Sequence, residues 1–300
     1  MVWNGEKYEK NSPMQFKSGL HAIDLLNPKS PEKILDIGCG PGILSLEIAK
    51  RLGSGKIVGV DVDARMIDAA QQAIGRSKIK NFSVLQKNAT DLAFHEEFDA
   101  VFSNFVIPWI PDLPKLWQVL YAALKPGGRL VIATTYIGDP SSVTTPPVPE
   151  MITDAAIKKV TIGEIDGLVL EKFYTEGHLA AIVPPAEMHA YNADMSKHLT
   201  FNIPRRKDLQ RKLEKAGFHD IQIDSQTIRH EFETLDAYMD NQEAASWLKF
   251  LSALPAEYRD KACQCVRDLL RAEWDKMPDG QKAMPFQEEW SVAFIQAKKQ

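Results

Sequence analysis

Cysteine is scarce in this chain. The three present, Cys39, Cys263 and Cys265, are an odd number without the spacing of a disulfide framework or a zinc finger. Cys263 and Cys265 stand two apart on a helical stretch, so they point to different faces. Met1 to Lys10 is polar and lacks an apolar signal core, and with the sparse thiols this predicts a reduced, cytoplasmic setting. No apolar run approaches the ~20 residues that cross a bilayer, which predicts no membrane partner. Positive charge is not in surplus either: 36 Lys and Arg face 40 Asp and Glu, a net charge of −4. Without a basic stripe, polyanion and nucleic-acid binding lose their electrostatic footing. Arg205-Arg206-Lys207 opens an amphipathic stretch and reads as a solvated face. No internal repeat is visible. What remains is 300 residues at 44% apolar, enough for one large domain or a domain with an inserted lobe.

The informative stretch is Ile34-Leu35-Asp36-Ile37-Gly38-Cys39-Gly40-Pro41-Gly42. An apolar run ends at an acid, three glycines follow at alternate positions, and a helical pattern begins. Glycine permits positive φ and close approach of a ligand to the backbone. A strand that ends in such a turn and restarts as a helix predicts free N–H groups in a crevice at the sheet's carboxyl edge, a nucleoside-cofactor site. A dinucleotide fingerprint would carry a third glycine six positions into G-x-G-x-x-G. Ile43 stands there instead, which disfavours a nicotinamide oxidoreductase.

The pattern D-x-G-x-G-x-G resembles motif I of the class I S-adenosylmethionine-dependent methyltransferases, and four further landmarks follow in the family's order. Lys56-Ile57-Val58-Gly59-Val60-Asp61 reads as a second strand ending in a carboxylate. Phe82 to Gln86 reads as a third, followed by Asn88, Ala89, Thr90 and Asp91. Phe98 to Asn104 resembles the fourth strand. Leu124-Lys125-Pro126-Gly127-Gly128 resembles the turn into the fifth. The resemblance covers roughly residues 30–135 and implies an α/β fold: a doubly wound, mostly parallel seven-stranded sheet with an inserted helical lid.

It also implies S-adenosyl-L-methionine as cofactor, held by Asp36, Gly38, Cys39, Gly40, Gly42, Asp61, Val62, Met66, Asn88, Ala89, Thr90 and Asn104. Asp61 would accept both ribose hydroxyls. Val62 and Met66 would pack on adenine, and the Asn88 amide oxygen would take the adenine amino group. The family's counterpart of Asp36 touches the methionine end indirectly. Cys39 fills a variable slot of the loop and receives no chemistry. Asp63 reads as a helix N-cap. Gly42 also reads as a packing position, and Gly127 and Gly128 as turn residues.

On the acceptor side, base-amino methyltransferases carry an Asn/Asp-Pro-Pro-aromatic string after strand four. Here the string is Ser103-Asn104-Phe105-Val106-Ile107-Pro108-Trp109, without the double proline. None of the cysteines follows a proline, as the nucleophile for cytosine C5 would. A small-molecule acceptor is the expectation. Trp109, and the Tyr8…Ser12…Gln15 spacing, resemble the juvenile hormone acid, trans-aconitate and malonyl-carrier methyltransferases. An indole N–H at 109 can hold a carboxylate oxygen. Gln15 has a second reading, closing a capping box with Ser12. His178 is the lid's candidate base.

O-methylation of a carboxylate therefore leads. C-methylation of an isoprenoid is the alternative, with Phe173, Tyr174, Tyr191 and Phe201 stabilising a carbocation. A non-catalytic cofactor-binding protein stays open as another class. The organisation expected is a core with a cap helix over 1–136, a lid over 137–203, and the end of the sheet over 204–300 with a helical insertion at 232–288. Segment 234–285 either completes the lid or forms a homodimer face.

Overall fold

The computed structural model describes residues 13–135, 162–184, 206–245, 247, 251, 254–282 and 284–300. The chain divides into two compact units. One is an α/β unit of residues 3–143, 201–228 and 290–300; the other is helical and takes 1–2, 144–200 and 229–289.

The α/β unit starts with α1 (Pro13–Leu26) and then alternates β1 (Lys33–Ile37), α2 (Ile43–Leu52), β2 (Lys56–Asp61), α3 (Ala64–Arg76), β3 (Phe82–Gln86), β4 (Phe98–Asn104), α4 (Leu113–Ala123) and β5 (Leu124–Thr135). After α6 (Arg206–Lys215) come β6 (Phe218–Phe232) and, at the end of the chain, β7 (Phe286–Lys299). The seven strands order as β3-β2-β1-β4-β5-β7-β6. β1 through β5 pair in parallel, and β7 runs antiparallel to β5.

Side-chain alternation along each strand explains the two layers of helices. Ile34, Phe102, Val131 and Phe294 bury one face with Met14, Ile23 and Leu26 of α1 and Ile48 and Leu52 of α2. Leu35, Ile37, Val101, Leu130 and Ile132 bury the other with Trp117 and Leu120 of α4 and Leu209 and Leu213 of α6. β1 is buried on both faces, as a central parallel strand must be. Strand order reverses between β1 and β4, so the loops after these two strands diverge and leave a crevice.

The helical unit is built on α5 (Ile162–Thr175), α7 (Leu235–Ala245) and α8 (Ala256–Lys276). Val169, Phe173, Met239, Trp247, Leu251, Leu254, Val266, Leu270 and Trp274 form its core. Asp166 is buried there and accepts hydrogen bonds from Trp247 Nε1 at 2.9 Å and Tyr238 OH at 3.4 Å. Lys172–Glu273 and Arg267–Asp240 ion pairs tie α8 to its neighbours.

The lid segment and the later helical insertion, expected separately, fall in this one unit. Within the expected helical insertion, α7 and α8 are among the described residues, with Pro255 preceding α8. The stretch 139–150, and His189, Tyr191, His198 and Phe201, lie outside the described residues. No helix among the described residues is long and apolar enough to cross a membrane.

Gly59 of β2 shows how tightly the sheet meets the glycine loop. A Cβ there would lie 2.8 Å from Cys39 Sγ and 3.0 Å from Phe82 Cε2. Gly59→Ala is expected to destabilise the protein by about 1–3 kcal/mol through overpacking, read as a lowered urea midpoint at unchanged slope.

Candidate functional site

The glycine loop joins β1 to α2 at the carboxyl edge of the sheet. Gly38, Gly40 and Gly42 all have positive φ, at 68°, 53° and 80°. Each position has its own reason for glycine. A Cβ on Gly38 would come within 2.1 Å of Val106 Cγ2, and one on Gly42 within 2.9 Å of Phe82 Cε1. Around Gly40 nothing lies within 4 Å of that position. Gly38 and Gly42 thus serve close packing, while Gly40 lies under open space where a ligand can press on the backbone.

The loop's amides correct one expectation. Gly38 and Cys39 N–H both donate to Val60 O, at 2.7 and 3.0 Å, and Gly42 N–H donates to Cys39 O at 3.0 Å. Gly40 N–H donates to Asp61 Oδ2 at 3.0 Å. These N–H groups are engaged within the protein because the loop folds back onto the end of β2. A pyrophosphate would need them pointing outward, so the cradle suits a nucleoside ligand without phosphate.

Asp61 ends β2, the neighbour of β1. Its Oδ1 accepts the Asp63 N–H at 3.0 Å, so both oxygens are held by backbone donors. Burial raises its pKa, and these hydrogen bonds oppose the rise. Asp63 caps α3 by accepting the Arg65 N–H at 2.9 Å. Val62 is 67% exposed beside this carboxylate, an apolar surface left open at the strand end, whereas Met66 is buried. Asn88 caps the turn Ala89–Asp91, its Oδ1 accepting from both Thr90 N–H and Thr90 Oγ1 at 3.0 Å. An adenine amino group would have to displace one of these donors.

Asp36 is fully buried on β1 and accepts a 2.5 Å hydrogen bond from Ser45 Oγ of α2. Burial pushes its pKa up to about 7; Ser45 opposes this, and the Asp61 carboxylate adds to it. Burial likewise pushes the Cys39 thiol well up, which leaves it unreactive.

At the end of β4, Asn104 Nδ2 donates to Gln15 O of α1 at 3.0 Å. Gln15 is buried, and Gln15 Oε1 and Asn104 Oδ1 have no hydrogen-bond partner among the described residues. The capping-box reading of Gln15 turns on Ser12, which lies outside the described residues. Two unpaired acceptor oxygens facing burial call for N–H or O–H donors from a ligand. Trp109 sits in the turn Ile107–Trp109 that follows, partly buried, its N–H donating to Val106 O at 2.9 Å.

Other expected residues belong to the helical unit. His178 belongs to the helical unit, half-buried, with Nε2 3.9 Å from Glu176 Oε2. Phe173 is fully enclosed in that unit's own core, so its ring has no open face for a cation, and it is withdrawn as a carbocation stabiliser. The side chain of Tyr174 is not among those described, and Tyr191 and Phe201 lie outside the described residues.

Sequence reasoning missed Ser45, Val106 and Phe105. Ser45 reaches Asp36 only through the phase of α2. Val106 covers Gly38. Phe105 takes φ 58°, a conformation rare for a bulky residue, where β4 turns into the crevice.

The folded protein holds Asp36 above the ordinary carboxylate range, so the empty folded state binds more protons than the unfolded chain between about pH 4 and 7. Stability from this group is therefore lost as pH rises through that window. Asp36→Asn should stabilise the protein at pH 8 by an amount on the order of a few kcal/mol, read as a raised Tm, while changing Tm little at pH 4.

A methyltransferase domain family matches residues 34–128. The trans-aconitate 2-methyltransferase of Deinococcus radiodurans is 31% identical over 137 residues, 44% of this chain and 49% of that protein. The malonyl-[acyl-carrier protein] O-methyltransferase 1 of Ilyobacter polytropus is 34% identical over 106 residues, 35% of this chain and 39% of that protein. The chain thus spans about half, or less, of the length of the curated relatives it matches. Among solved structures, the YcgJ protein of Bacillus subtilis aligns over 95% of this chain and 99% of its own, with a TM-score of 0.56 at 15% identity, a likeness of fold. The similarity to methyltransferases is thus carried by the domain at residues 34–128.

Proposed function

We propose that this chain transfers the methyl group of S-adenosyl-L-methionine to a small organic acceptor, and that the acceptor oxygen is a carboxylate. The observation that carries the cofactor is the cradle at the ends of β1 and β2. Open space lies over Gly40, the loop amides are already engaged, and the Asp61 carboxylate stands beside the exposed Val62 side chain. Residues of this type fit a nucleoside that brings ribose hydroxyls but no phosphate.

When bound, the cofactor supplies a methyl group on a sulfonium, already a good leaving group. The protein's task is then to hold, orient and exclude water, and positioning alone is worth roughly 7–11 kcal/mol. Asp61 accepts the ribose hydroxyls, exchanging the Gly40 N–H for them. Val62 lines the base. Gln15 Oε1 and Asn104 Oδ1 receive donors that the ligands bring. Trp109 lines the acceptor's place after β4, and its indole N–H orients a carboxylate oxygen. A carboxylate is nucleophilic at neutral pH, so this acceptor needs no general base. The trans-aconitate 2-methyltransferase and malonyl-[acyl-carrier protein] O-methyltransferase relatives support the class of acceptor without naming it for this chain.

Titration calorimetry with S-adenosylmethionine and S-adenosylhomocysteine tests the cofactor. Micromolar binding is expected, weakened in Asp61→Ala by about 1.5–3 kcal/mol, the worth of a hydrogen bond to a charged group. Unchanged affinity in the variant would count against Asp61 as the ribose ligand. Trp109→Phe should raise the acceptor KM several-fold, keep the cofactor Kd, and yield a base-labile methyl ester in both proteins. A product methyl that survives base would instead point to carbon as the acceptor atom.

A further inference from the structure

Two amide oxygens meet at the end of β4 without donors. Asn104 closes β4, and Ser103 before it is in register with Ile37 of β1. Asn104 therefore lies beside Gly38, at the strand ends where the crevice opens. Its Nδ2 donates to Gln15 O of α1 at 3.0 Å. That bond fixes the amide, because turning it over would set Oδ1 against another oxygen. Oδ1 thus faces away from the α1 carbonyl, and it has no hydrogen-bond partner among the described residues. Gln15 is 5% exposed, and its Oε1 has no partner there either. Acceptors buried in this way cost the empty protein stability, and a ligand that brings donors removes the cost.

The chemistry of the two groups selects the ligand. The cofactor's ribose hydroxyls are assigned to Asp61 of β2, two strands from β4 and so roughly 10 Å away. The cofactor's ammonium is charged, and a buried cation needs a counter-charge that neutral amides lack. The reacting carboxylate has only acceptor oxygens, which both amide oxygens would repel. Its place, by the reading above, is the Trp109 indole in the turn that follows β4. What fits the two oxygens is a neutral O–H or N–H on the acceptor itself.

Resting on the methyl-transfer reading above, we propose that the acceptor is a carboxylic acid bearing a second, neutral hydrogen-bond donor, a hydroxyl or an amide, and that Gln15 Oε1 and Asn104 Oδ1 select for it. The donor is not the atom methylated: it keeps its proton, and the carboxylate oxygen takes the methyl group. An acid without the donor is rejected because its binding leaves both oxygens unpaired and shut off from water.

Octanoic acid, compared with its hydroxy acids bearing the hydroxyl on the second, third or fourth carbon, tests this. Ester formation from labelled S-adenosylmethionine is read as kcat/KM. The best hydroxy acid should exceed octanoic acid about a hundredfold or more. Gln15→Met keeps the length of the side chain and deletes the oxygen. It should cut that ratio about tenfold, leave the Kd of S-adenosylhomocysteine unchanged, and raise the Tm of the ligand-free protein. Thr134→Val is the control. Thr134 Oγ1 is also buried and has no partner among the described residues. Thr134 alternates with Leu130 and Ile132 along β5, however, and so lies on the face of the sheet opposite α1. The ratio should hold in that variant.

Octanoic acid used as well as every hydroxy acid, or a ratio that survives Gln15→Met, would overturn the proposal while leaving methyl transfer intact. A lowered Tm in Gln15→Met would overturn it by showing the oxygen already paired. Weaker S-adenosylhomocysteine binding in that variant would overturn it by giving the oxygens to the cofactor. A protein that binds the cofactor but methylates none of these acids would remove the carboxylate reading and this inference with it. Failure to bind the cofactor would remove methyl transfer itself.

Discussion

A single carboxylate–amide contact organises the cradle. Asp61 at the end of β2 takes the Gly40 N–H at 3.0 Å, while Val60 beside it receives the N–H groups of Gly38 and Cys39. The loop after β1 is therefore stitched to the end of β2 before any ligand arrives. Parallel pairing of β1 with β2 sets the register that makes this reachable. Gly59, whose missing Cβ leaves room for Cys39, makes it sterically possible. The three glycines then follow from the backbone: each sits at positive φ, two against packed side chains and one under open space.

From that stitch come both the binding properties and the electrostatics. Turning the loop amides inward removes the donors a phosphate would use, and leaves a carboxylate at the strand end for hydroxyl groups. It also keeps Asp61 close to Asp36, a buried acid supported by one hydroxyl. On the α1 side, Gln15 Oε1 and Asn104 Oδ1 have no hydrogen-bond partner among the described residues. Two such acceptor oxygens suit a ligand that brings hydrogen-bond donors.

Much of this was legible in the sequence because the signals are local. The glycine spacing, the acids near the ends of β1 and β2 and the Asp63 cap depend on neighbours in the chain. What escaped was long-range. Ser45 looks like any helix serine until the pitch of α2 brings it to Asp36. The loop amides looked free because nothing in the string Gly38 to Gly42 shows that Val60 and Asp61 would accept them. The Gln15 side chain fitted a local capping rule, and nothing local showed that it would be buried beside Asn104 of β4. Phe173 read as a lid aromatic, but the helical unit needed it as core. The two helical segments, about thirty residues apart in the chain by the sequence reading, share that core for the same reason: neither can bury its apolar face alone.

The most direct test is a crystal structure of the protein with S-adenosylhomocysteine. The account predicts ribose hydroxyls on the Asp61 carboxylate, with the Gly40 N–H released from it, and adenine against Val62. A ligand bound elsewhere, or a cradle in which Asp61 keeps its bond to Gly40 and touches no hydroxyl, would contradict it.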